Sequence, residues 1–149
     1  MPDQIIFVAG SRVITRYMAD AVAEFVEGLT ERVTFLNGNA PQGVDPLLIE
    51  LARKNGHKVK LYTPDYGRYG RAAPIVRNAH MAEACTHAVM FWDGESRGTW
   101  DAIHKVRKLG KPCDVRVFNG ARAPRVVTDL IAPPTEGGDR RGVKQIALL

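Results

Sequence analysis

Along the chain, short apolar runs alternate with segments whose apolar residues recur at helical spacing. Residues 4–10, QIIFVAG, are a nearly continuous apolar run closed by glycine, the pattern of a strand buried on both faces. Residues 14–29 set Tyr17, Met18, Ala21, Val22, Phe25, Val26 and Leu29 along one helical stripe. VTFLNG (33–38) predicts a second strand stopped by Asn-Gly. GVDPLLIELARKNG (43–56) predicts a helix with Asp45 as N-cap, Pro46 at its first position and Asn55-Gly56 as its stop. HKVKLYT (57–63) alternates polar with apolar, and so predicts a third, less buried strand.

A loop from Pro64 to Pro74 then interrupts the rhythm. After it come a short helix (75–85), a strand (86–92), a helix ending at Gly110 and a fifth strand, CDVRVF (113–118). From Asn119 onward the sequence is rich in Pro and Gly, with PRVVTDLIAPP and VKQIALL as candidate short extended pieces. No internal repeat is present. Strands alternating with helices predict an α/β, doubly wound, mainly parallel sheet of about five core strands, joined by right-handed crossovers. In such sheets ligands bind beyond the carboxyl ends of the strands, where the strand order reverses. With strand order 3-2-1-4-5, the loops AGSR (9–12), NGNAPQGVD (37–45) and DGESRGT (93–99) converge on one crevice.

Composition adjusts this picture little. A chain of 149 residues, 45% hydrophobic and 25% charged, fits one domain with a proper core. The start, MPDQIIFVAG, has no basic leader and too short an apolar run for a signal peptide or membrane span, so a cytoplasmic protein is expected. Cys85 and Cys113 have neither metal nor redox spacing, and are expected as reduced, buried thiols. The net charge of +5 is uneven: residues 1–102 hold 11 Lys/Arg against 12 Asp/Glu, residues 103–149 hold 10 against 4. Such a basic third can contact a polyanion or form a solvated face; the absence of interleaved aromatics leans toward the second.

The three loops carry the candidate chemistry. Small residues at Gly10, Ser11, Gly38, Gly43, Gly94 and Gly98 let backbone N–H groups approach a ligand closely. Arg97, Gly98 and Thr99 open a helix, whose N-terminus favours an anion. Ser11, Ser96 and Thr99 add hydroxyls, while Arg12, Arg77 and Arg97 add charge and forked hydrogen bonds. Asn37 and Asp45 at the two ends of the second loop, with Asn78 beside Arg77, complete the candidate binding set. The competing reading makes all of these turn and cap residues. No G-x-x-x-x-G-K-[ST] occurs, which excludes a P-loop NTPase. The first turn lacks G-x-G-x-x-G and no acidic residue ends the second strand, which argues against a conventional NAD dehydrogenase.

FVAGSR, GNAPQGVD, RYGRAAPIVRNAHM and WDGESRGT, in that order, resemble the SLOG superfamily over roughly residues 4 to 118. This Rossmann-like set includes the LOG cytokinin-activating phosphoribohydrolases and the DNA-processing protein DprA. The branch most similar is the small YspA-type (YpsA-related) group. The resemblance implies a SLOG-like domain over residues 1–118 with an irregular C-terminal extension at 119–149. It also implies a nucleotide or nucleotide-derived ligand, often in a dimer. In LOG-type enzymes an Arg and a Glu cleave an N-glycosidic bond; by motif the Arg falls on Arg77 and the Glu on Asp101. Asp101 is one methylene shorter than that Glu, and DGESRGT is one residue longer than the LOG loop.

Three functional classes follow. The first is a binding or sensor protein for a nucleoside phosphate, ADP-ribose or NAD-like ligand. The second is a nucleotide N-glycoside hydrolase with Arg77 and Asp101 as catalytic residues. The third, not favoured, is a single-stranded nucleic-acid binder. No cofactor and no metal is expected, because His80, Cys85 and His87 lack a coherent geometry. Tyr66 and Tyr69, with Arg68 and Arg71, either serve a ligand lid or form a surface excursion. Trp92 and Trp100 either line the pocket or pack beneath the loops. His57 and His104 are expected to be solvated. The apolar VKQIALL end points to a homodimer.

Overall fold

The computed structural model describes residues 3–118 and 125–127. Six strands form one sheet in the order β3-β2-β1-β4-β5-β6. β1 (Ile5–Gly10), β2 (Thr34–Asn37), β3 (Lys58–Leu61), β4 (His87–Trp92) and β5 (Cys113–Val117) are parallel. β6 (Arg125–Val127) closes the far edge antiparallel to β5. The expected order 3-2-1-4-5 is therefore present, and the short extended piece within PRVVTDLIAPP supplies a sixth strand. VKQIALL lies outside the described residues.

The alternation of β1 explains the layers. Ile6 and Val8 turn to one face, where α1 (Arg16–Glu27) and α2 (Val44–Lys54) supply Met18, Val22, Val26 and Leu48. Phe7 turns to the other, toward Met81 of α4 (Ala73–Ala84) and Ile103 and Val106 of α5 (Arg97–Lys108). Both faces of β1 are dry, which is why its sequence reads as an apolar run and not as an alternation. β3 sits at the edge with Lys58 and Lys60 exposed, as its pattern predicts, and those lysines discourage pairing with another chain.

Four expectations need correction. Asp45 does not cap α2: the helix starts at Val44, Gly43 holds the N-cap position, and Asp45 lies buried in the first turn. The Pro64–Pro74 loop is partly helical, with α3 (Tyr66–Tyr69) capped by the Asp65 carboxylate, which accepts from the Arg68 N–H at 3.0 Å, and a 3₁₀ turn over Gly70–Ala72. His57 is not solvated: it is 9% exposed, and its Nδ1 accepts the Val33 N–H at 3.1 Å. His104, also expected in solvent, is half-buried and packs at a tilt against Trp100, their ring centres 6.2 Å apart. Cys85 and Cys113 are buried and unpaired, and burial pushes the Cys113 thiol up to about 12. Among the described residues no helix is long and apolar enough to cross a membrane.

Burial pulls the His57 pKa below its usual 6.5, with Arg32 acting in the same direction. The unfolded chain then takes up the proton first as pH falls. The contribution of neutral His57 is complete above about pH 6.5 and is lost as pH drops through the lowered folded value. His87 carries the same sign, lowered by burial against the opposing pull of Asp114. Thermal unfolding between pH 7.5 and 5 should therefore show falling stability, and His57→Asn should flatten part of that slope. An unchanged slope in the variant would remove His57 from the explanation.

Candidate functional site

The loops after β1, β2 and β4 are fastened to one another through Ser11. Its N–H donates to the Phe91 carbonyl at 3.1 Å, its carbonyl accepts the Val44 N–H at 3.1 Å, and its Oγ accepts the Asp93 N–H at 3.0 Å. Ser11 is 1% exposed and is thus a staple between loops, not a wall of the cavity. Two glycines make the close approach feasible. A Cβ on Gly10 would lie 2.4 Å from Val44, and one on Gly43, which has φ +87°, would lie 2.2 Å from the Ser11 carbonyl oxygen.

Asn37 is fully buried and saturated. Its Nδ2 donates to the Val8 carbonyl at 3.1 Å and to Asp45 Oδ1 at 3.0 Å, while its Oδ1 accepts the Asn39 N–H at 2.8 Å. Asp45 Oδ2 accepts the Ala40 N–H at 2.9 Å, so this carboxylate shapes the loop after β2 from within α2. After β4, Asp93 Oδ1 accepts the N–H groups of Glu95 and Ser96 at 2.8 and 2.7 Å, and Gly94 takes φ +85°. That turn delivers the chain to α5, whose N-cap Ser96 makes no side-chain cap. Ser96 therefore offers no side-chain acceptor to the first-turn N–H groups of α5.

Between these loops and α4 lies a cavity of about 190 Å³. Gly10, Arg12, Gly38, Asp45, Arg77, Asn78, Ser96, Gly98 and Thr99 line it. Ser11, Asn37, Gly43, Gly94, Arg97 and Asp101 do not; the first four build the loops, and Arg97 is exposed. Asp101 is held by Lys105 Nζ at 2.6 and 2.7 Å and by Asn78 Nδ2 at 3.0 Å, which leaves its carboxylate engaged within the α4–α5 seam. Asn78 also donates to the Gly98 carbonyl at 3.3 Å, tying α4 to the start of α5. Sequence reasoning missed the apolar floor made by Phe7, Ala9, Pro74 and Met81. Core hydrophobes carry no mark of facing a cavity until the helices are docked. Trp92 and Trp100 stack on each other at 5.8 Å, and neither lines the cavity.

Arg77 dominates the electrostatics. Its Nη1 donates to the Gly38 carbonyl at 3.0 Å, and its guanidinium lies so close that a Cβ on residue 38 would meet Cζ at 2.9 Å. Its Nε is buried without a protein partner. Burial lowers the Arg77 pKa, offset in part by Asp45, and the guanidinium stays charged at neutral pH. Asp45 is shifted the other way: burial raises its pKa against the opposing effects of Ala40, Asn37, Arg77 and Arg12. A second cavity of about 230 Å³, lined by Tyr62, Arg68, Tyr69 and His80 among others, shares Arg77 as a wall.

A doubly wound sheet with a basic, glycine-walled crevice at its switch point thus defines the class of protein. The solved structure of DNA processing protein A (DprA) from Streptococcus pneumoniae shares this fold, with a TM-score of 0.65 and 18% sequence identity. The match covers 80% of this chain and 51% of that one, so the chain spans about half that protein's length. No protein-family model and no curated protein sequence matches the chain.

The loop geometry generates a paired expectation. Gly43→Ala combines a positive φ with a backbone clash, and should cost about 2 kcal/mol or more, a fall of roughly 4–8 °C in Tm. Gly98→Ala, with no atom within 4 Å of the new Cβ, should stay within about 1 kcal/mol of wild type. Differential scanning calorimetry of the two variants checks both; equal losses would refute the staple at Ser11.

Proposed function

We propose that the crevice binds a nucleotide or nucleotide-derived ligand, such as a nucleoside phosphate, ADP-ribose or NAD-like molecule, through its phosphate. The protein acts as a sensor or binding protein, in the manner of the YspA-type branch of the SLOG superfamily. The observation that carries this reading is the Arg77 guanidinium, which lines one cavity together with Arg12 and the start of α5. A phosphate offers charge and several acceptors at once to such a pair of guanidinium groups. About 190 Å³ falls below the roughly 300–1,000 Å³ of pockets that enclose a drug-sized ligand, and suits a sugar phosphate with the remainder outside.

The reading takes residues 1–118 as the binding domain and 119–149 as an extension, in a cytoplasmic homodimer. Reduced, buried thiols fit that compartment. Binding is preferred over turnover because Asp101 is occupied by Lys105 and Asn78 and stands off the cavity wall. A second reading, single-stranded nucleic acid, draws on the likeness to a protein named for DNA processing and on the net charge of +5.

Calorimetric titration of a panel of AMP, NAD and ADP-ribose, with product chromatography, separates these readings. Arg77→Ala should weaken binding about 10- to 100-fold, the loss expected for a charged hydrogen bond, and Arg77→Lys should not restore it, since Lys lacks the planar fork. Base release lost in Asp101→Asn would establish the hydrolase instead. Binding to single-stranded DNA that weakens steeply with salt, in the absence of nucleotide binding, would establish the nucleic-acid reading.

A further inference from the structure

We propose that Asp45 reads the sugar of the bound nucleotide, accepting hydrogen bonds from a vicinal pair of ribose hydroxyls; this rests on the nucleotide reading above and deepens it. The starting point is a carboxylate in a cavity built for an anion. Asp45 is 8% exposed, yet lines the same cavity as Arg12, Arg77 and the start of α5. It does not neutralise the arginines by direct contact: no ion pair joins it to Arg12 or Arg77, and Arg77 gives its Nη1 to the Gly38 carbonyl.

Two protein bonds hold the carboxylate, Asn37 Nδ2 on Oδ1 at 3.0 Å and the Ala40 N–H on Oδ2 at 2.9 Å. An ionised carboxylate has about four acceptor positions, so each oxygen retains unused capacity. Like charge keeps a phosphate away from this end of the cavity, and the ligand group facing Asp45 must therefore be a donor. A cationic donor is disfavoured by Arg12 and Arg77 alongside. Neutral hydroxyls remain, and a vicinal diol supplies two donors to two adjacent oxygens. The ligand is then oriented with its phosphate toward the start of α5 and its sugar hydroxyls toward α2. Asn37 and Ala40 fix the carboxylate in advance, so a missing hydroxyl leaves a buried charged oxygen unsatisfied.

The test compares ribose 5-phosphate with 2-deoxyribose 5-phosphate, and AMP with its 2′-deoxy form, by calorimetric titration of the full chain. The ribo form should bind about tenfold tighter or more in wild type, and the ratio should fall to about one in Asp45→Asn. Asp45→Ser, smaller and also uncharged, gives a second measurement of the ratio should the Asn variant fail to fold by circular dichroism. Equal affinities in wild type would overturn the proposal while leaving the nucleotide reading intact. A ribo preference that survives both variants would also overturn it, reducing Asp45 to a loop support. Failure of all four compounds to bind would remove the underlying reading itself.

Discussion

The crevice depends on one constraint: three chain segments must pass within hydrogen-bond distance of Ser11, two of its backbone and one of its hydroxyl. The carboxyl end of β4, the start of α2 and the turn toward α5 all meet there, through Phe91, Val44 and Asp93. Any Cβ at residue 43 would collide with the Ser11 carbonyl, and any Cβ at residue 10 with Val44. The glycines are accordingly structural before they are functional. They let α2 sit close enough to β1 for Asp45, in its first turn, to reach both Asn37 and Ala40. A loop network this tight is preorganised, so the ordering of its backbone is completed at folding and not at ligand binding.

Burying opposite charges near each other without pairing them is costly, and the crevice does this deliberately enough to be informative. A direct Arg77–Asp45 salt bridge would satisfy both groups and leave little for a ligand. Instead Arg77 lies against the Gly38 backbone and Asp45 against Asn37 and Ala40. Each is held by neutral dipoles that fix its direction without cancelling its charge. Folding thereby leaves two opposite charges on the wall of one cavity without a direct ion pair between them.

Much of this was legible in the sequence. The apolar runs of β1 and β4 and the helical stripes fixed the architecture, because burial on both sheet faces suppresses alternation. The glycine loops pointed to the crevice because only a close backbone approach requires them at three strand ends. What escaped was the division of labour within those loops. Ser11 and Asn37 carry ligand-type groups, yet both are consumed by contacts with residues up to 82 positions away. Asp45 before Pro46 reads locally as an N-cap, but Asn37 and the loop amide of Ala40 claim the carboxylate and the helix begins two residues earlier, at Val44. His57 after Asn55-Gly56 reads as a solvated turn residue until Val33, 24 residues away, presents its N–H.

The surroundings of Asp101 bear on what its carboxylate can do. Lys105 lies one helical turn along α5 and Asn78 lies across the α4–α5 seam, and together they occupy both carboxylate oxygens. A general base or nucleophile needs at least one oxygen free and within hydrogen-bond reach of the reacting atom. The shorter Asp side chain keeps the carboxylate against its own helix, where Lys105 meets it as an i,i+4 pair. In this chain the Asp101 carboxylate ties α5 to α4 through Asn78, with Lys105 as its partner on the same helix.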